Sequence, residues 1–185
     1  MAVTLKQAEA VPEEWPDAPE GLSAAAAALD PAMIWGRIEA YTVHRWATRA
    51  VVWTVEGPGD WTPPLAPATV ETVEVWDGTA WAEVFPAASP WGGYVLACGG
   101  PYQITAEVGG GDVPAPVAEA FRRLAEYMGD AAAPSMVNGR AGASATSYEV
   151  GGNLKVSFDR SPAWLAKAIV NSGAGDLLRP WREAV

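Results

Sequence analysis

Apolar positions recur at helical spacing most clearly between Val113 and Asp130. Val117, Ala118, Phe121, Leu124, Ala125 and Met128 fall on one stripe there, and Glu119, Arg122, Arg123 and Glu126 stay off it. Pro114 and Pro116 suit an opening turn, where a missing N–H costs nothing, and Gly129 stands where a left-handed C-cap is expected. The pattern predicts a helix over 114–128 with one buried face. Such a helix is not stable alone, so other segments must cover its stripe. One candidate follows Asp30-Pro31, an N-cap and a proline at the first helical position: Ile34, Ile38 and Tyr41 lie on one side, flanked by Trp35. The Ala-rich run 22–29 ahead of it is also helix-prone.

After Trp46 the period changes to alternation, and ATRAVVWTVEG reads as a strand ending at Gly57-Pro58-Gly59-Asp60. Asp77-Gly78 joins two alternating runs, Val70 to Trp76 and Thr79 to Phe85, with the positive φ angles a tight hairpin requires. Gly93 to Ala97 and Gln103 to Val108 are two further strands, separated by a turn through Cys98 and Pro101. A small antiparallel sheet of four or five strands is therefore expected between the early helices and the helix at 114–128.

The ends of the chain are less regular. Residues 1–21 hold a short alternation (Val3, Leu5) and then VPEEWPDAPEG, an acidic, proline-rich run that continues neither a helix nor a central strand. Residues 131–160 are small and polar, with 153–158 the only ordered-looking piece. Ser161-Pro162 repeats the cap-and-proline start, with Trp164, Leu165, Ala168 and Ile169 on a short apolar face, and DLLRPWREAV carries Leu177, Leu178 and Trp181. The expected fold is α+β: a small helical bundle with an inserted antiparallel β-sheet and hairpin, and extended terminal arms. Its parts are an N-terminal arm over 1–21, a helical core over 22–130 with the sheet at about 47–108, a flexible loop over 131–160 and a C-terminal helical tail over 161–185. A chain of 185 residues suggests one domain with appendages rather than two.

Composition narrows the chemistry. Ten Trp residues suit interface anchors as well as a core. With 22 acidic against 12 basic residues the net charge is −10, which argues against a protein that grips phosphate backbones. Cys98 is the only cysteine, so an internal disulfide and a cysteine metal cluster are excluded, and it reads as a small packing residue. His44 is the only histidine, which excludes a multi-histidine metal site and reads as a surface or helix-end residue. The glycine clusters at 109–111 and 151–152 lack the lysine and spacing of a phosphate cradle. Glu13-Glu14 sits in the proline-rich run as solvated charge, and Arg122-Arg123 is either a partner-binding pair or solvated with Glu119 and Glu126. No cofactor, metal or catalytic constellation is expected, and no stretch approaches a membrane span.

The order of parts carries a resemblance. RIEAYTVHRW, AVVWTVEG, PPLAPATVETVEVWDGTAWAEV, GPYQITAEVGGGDVPAPVAEAFRRLAEYM and LLRPWR, in that order, resemble the head-tail connector (adaptor) family of tailed phages, in the form found in gene transfer agents of alphaproteobacteria. The resemblance covers roughly 22–130 and 176–182; it departs at Tyr41-Thr42-Val43, where the family pattern has Tyr-Thr-Gly. It implies a structural, non-enzymatic subunit of a homo-oligomeric ring, a dodecamer. The ring would dock under the portal protein and above the next neck or stopper protein, in a virion or gene transfer agent particle assembled in the bacterial cytoplasm. DNA would pass through its channel without specific binding. Candidate partner-binding residues are Trp164, Leu177, Leu178, Arg179 and Trp181. The competing expectation is a small ligand-binding or enzymatic α+β domain that uses the Trp-rich sheet as a pocket wall.

Overall fold

The computed structural model describes residues 1–132, 145–150, 154–159 and 165–183. It is a mixed α+β protein with antiparallel sheets and several helices. The chain divides into two compact units, each assembled from separated segments: a first unit of Met1–Pro16, Thr42–Asp112 and Trp181–Val185, and a second of Asp17–Tyr41 and Val113–Pro180.

The first unit is built on a five-stranded antiparallel sheet. Its strands are β1 (Val3–Glu9), β2 (Arg49–Glu56), β4 (Ala68–Trp76), β5 (Trp81–Glu83) and β8 (Pro101–Val108), in the order β1-β2-β8-β4-β5. A three-stranded sheet of β3 (Gly59–Trp61), β6 (Ala87–Ala88) and β7 (Tyr94–Leu96) accompanies it. Alternation places Val51, Trp53 and Val55 of β2 and Tyr102, Ile104, Ala106 and Val108 of β8 on one face, where they are buried with Trp61, Leu65, Val73 and Leu96. The rings of Trp53 and Trp61 meet edge to face, 5.4 Å between centroids.

The hairpin expected at Asp77-Gly78 is present, displaced by one position. Trp76 pairs with Trp81, Asp77 N–H donates to the Ala80 carbonyl, and Gly78 and Thr79 are the central residues of the turn. Of these only Gly78 has a positive φ, +104°, so glycine is required at the first central position. Asp77 is instead an acceptor. Its carboxylate takes the N–H groups of Ala80 and Thr79 at 2.8 Å each, which holds its pKa below the usual carboxylate value.

The second unit contains α1 (Ala24–Ala27), α2 (Pro31–Tyr41), α3 (Ala115–Ala132), the hairpin β9 (Ala145–Val150) with β10 (Leu154–Asp159), and the one-turn helices α4 (Ala168–Asn171) and α5 (Ala174–Leu177). Helix α2 starts as expected: the Asp30 carboxylate accepts the Ala32 N–H at 3.0 Å. Ile34, Trp35 and Ile38 of α2 are buried, and so are Val117, Ala120, Phe121, Leu124, Ala125 and Met128 of α3, whereas Ala118, expected on the stripe, is half-buried. The Trp35 and Phe121 rings lie 5.0 Å apart at a tilt of 46°. Such a pair adds about 0.5–1.5 kcal/mol beyond its buried area.

Four expectations change. Gly129 is not a C-cap, since α3 runs on to Ala132. A Cβ at Gly129 would stand 2.8 Å from the Ala26 nitrogen, so its glycine permits the backbone of α1 to lie against α3. The Ala-rich helix is a single turn, capped by Ser23 Oγ accepting from Ala26 N–H at 3.2 Å and tied down by Ser23 N–H donating to Glu126 at 2.7 Å. Residues 3–9, within the expected arm, are an edge strand of the sheet, and 1–2 and 10–23 lack helix and strand. Within the expected loop 131–160, residues 145–150 and 154–159 pair as a hairpin; its remaining part, 133–144, 151–153 and residue 160, lies outside the described residues, as does 161–164 with its expected cap.

Candidate functional site

The five tail residues singled out from the sequence have different fates. Leu178 is fully buried within the second unit, following α5, whose Ala174 is also buried. Leu177 is half-buried and Arg179 exposed. Trp181 belongs to the first unit: its carbonyl accepts the Val43 N–H at 3.0 Å, and its ring lies 6.4 Å from that of Trp46. Trp164 lies outside the described residues. The tail is therefore tied into the fold at Leu178 and Trp181, and among the four described residues Arg179 is the exposed one.

Sequence reasoning missed a polar ladder on β1. Thr4, Gln7 and Glu9 each meet a buried donor of the first unit. Trp61 Nε1–H donates to Thr4 Oγ1 at 2.9 Å, and Trp53 Nε1–H to Gln7 Oε1 at 2.9 Å. Glu9 receives Arg45 at 2.7 and 3.2 Å, a forked pair, and Arg49 Nη1–H at 3.1 Å. The side chains of Arg45 and Arg49 are only 11% and 7% exposed, so two guanidiniums that would be costly to bury unpaired share one carboxylate, which offsets one of their two charges. Arg49 also lies under the Trp15 ring, 5.2 Å from its centroid. A register shift between Thr4 and Lys6 rephases the strand, so that Thr4 rather than Leu5 joins this ladder and Leu5 is exposed. Polar residues facing a core defeat a reading that looks for apolar alternation. The signal available was the excess of Trp, whose indole N–H groups need acceptors when buried.

Two surfaces of the first unit stand out. The sheet face opposite the core carries Thr54, Thr72 and Thr105 among Glu56, Glu74, Glu83 and Glu107, with Lys6 as a cation on the same face. Large aromatics are exposed around the β4–β5 hairpin and the segment after it: Trp76 and Trp81, paired edge to face at 5.4 Å, then Phe85 at 90% exposure and Trp91 at 80%. Separately, a groove of about 670 Å³ is lined by the acidic run after β1, by the start of β2 and by Glu107.

The other singled-out residues take modest places. His44 is half-buried past the end of α2, with its ring 4.7 Å from that of Trp46. Cys98 is exposed, not a packing residue. Its Gly-rich turn holds the thiol 2.9 Å from Tyr102 Oη, which in turn donates to the Cys98 carbonyl, and burial pushes the Tyr102 phenol up. Arg122 and Arg123 both donate to Glu119, at 2.8 Å each, which is the solvated pairing with that residue. Among the described residues no group of three His, Cys, Asp or Glu side chains converges to hold a metal ion, and no helix is long and apolar enough to cross a membrane. Comparison with protein-family models, curated proteins and solved structures finds no match to this chain.

Proposed function

We propose that the chain is a structural head-tail adaptor of a tailed phage or gene transfer agent. Identical copies form a ring between the portal protein and the next neck or stopper protein, and the ring lines part of the channel through which DNA leaves. In this reading the helices act as a small bundle, the sheet is its insertion, and 10–21 is what remains of the N-terminal arm. Assembly takes place in the bacterial cytoplasm, the finished position is the particle neck, and no bond is made or broken.

The observation that carries the reading is the acidic, threonine-rich sheet face with Glu56, Glu74, Glu83 and Glu107. A wall of that sign repels phosphates and lets a duplex slide without sticking, in keeping with the net charge of −10. The exposed aromatics Trp76, Trp81, Phe85 and Trp91 add the rigid apolar anchors that contacts between subunits use. Deleting the gene tests the reading: filled heads and free tails should accumulate unjoined, and normal infectious particles without the protein would refute it.

A second reading, a ligand-binding or enzymatic α+β domain, is favoured by the groove of about 670 Å³ that Trp15 and Trp46 line beside the start of β2, a volume within the range of small-molecule sites. Native mass measurement separates the two: ring-sized oligomers support the adaptor, and a strict monomer that retains a small molecule supports the alternative.

A further inference from the structure

The groove has a chemistry of its own. Val11, Trp15 and Trp46 supply apolar wall, and Glu13, Glu14 and Glu107, all exposed, bring three carboxylates to it. Arg49 forms part of the lining, but its guanidinium is committed to Glu9 and to the Trp15 face. Even with Arg45 and Arg49 set against Glu9, the three remaining carboxylates leave the groove acidic by two charges. Val11 is 85% exposed beside them, an uncovered apolar contact next to uncovered negative charge.

We propose that this groove binds a peptide segment of a partner protein that carries arginine or lysine side chains next to an apolar residue. The fit is by charge and shape. Basic side chains lay their methylene stems and guanidinium planes along an indole while their heads reach carboxylates, and the neighbouring apolar residue covers Val11. Nucleic acid and anionic lipid are disfavoured by the same carboxylates. The site does not depend on the adaptor reading, because it rests only on the lining of one groove within the first unit.

Calorimetric titration of the purified full chain with a short synthetic peptide alternating arginine and leucine tests this, beside an alternating glutamate and leucine peptide and free spermine. Binding of the basic peptide alone is expected, and it should weaken as salt rises past about 0.15 M. Combining Glu13→Gln, Glu14→Gln and Glu107→Gln should weaken it by about tenfold, and Val11→Ser by about threefold. The charge-matched set Glu56→Gln, Glu71→Gln and Glu83→Gln should change it by less than about twofold, because those residues lie away from the groove. Equal loss in both sets would mean general attraction to an acidic protein and would overturn the site. Absence of binding, equal binding of the acidic peptide, or spermine binding as tightly would overturn it too. Self-association that disappears with the groove carboxylates would assign the groove to a second copy and overturn the partner peptide.

Discussion

Glu9 holds two nearly buried guanidiniums at once, so its charge matters more than its size. Glu9→Gln keeps the shape and removes the charge that Arg45 and Arg49 share. It should lower the stability of the first unit by about 2 kcal/mol, measured by denaturant unfolding, whereas a loss below about 0.5 kcal/mol would mean that water already screens the pair. Glu119 is the surface counterpart. Arg122 first, and then Arg123, hold its carboxyl down to about 2 from an ordinary 4.5. A folded-state value below the unfolded one means that its stabilising contribution is complete above about pH 4.5 and is lost as pH falls towards 2. Stability followed across that window should therefore fall less steeply in Glu119→Gln than in the parent, and the difference should shrink in high salt. Parallel curves at low salt would show that the pairing does not persist in solution.

At the scale of elements, apolar periodicity was a good guide wherever a segment buries its own hydrophobic side. The stripe through Phe121, the capped start at Asp30 and the alternation of β2 all appear where the pattern puts them. It failed where burial is polar or the backbone is the contact. Strand β1 faces the core with Thr4, Gln7 and Glu9, and Gly129 resembles a helix stop because nothing in a linear pattern reports that Ala26 lies against it. Intrinsic propensity would make Gly129→Ala stabilising by about 0.5–1 kcal/mol. The close approach of α1 predicts the opposite, a loss of about 1–3 kcal/mol, and a raised melting temperature would contradict that packing. The candidate tail site was legible only as a list of residues. Leu178 is buried, so Leu178→Ala should cost about 2–5 kcal/mol, whereas Arg179→Ala should stay within about 0.5 kcal/mol. If Leu178→Ala kept its full stability and lost only assembly, Leu178 would be an anchor after all.

For the whole molecule, the two units divide the features that bear on assembly. The first unit carries the acidic sheet face, the exposed aromatics and the groove. The second carries the stripe of α3 and the buried end of the tail. The most direct measurement is electron cryo-microscopy of particles from cells in which this chain bears a compact tag on an exposed turn, such as that at Gly78. The adaptor account predicts a ring of tag density at the neck, between the portal and the next neck protein, with a negative wall towards the DNA. Tag density elsewhere in the particle, or particles that lack the protein, would contradict it.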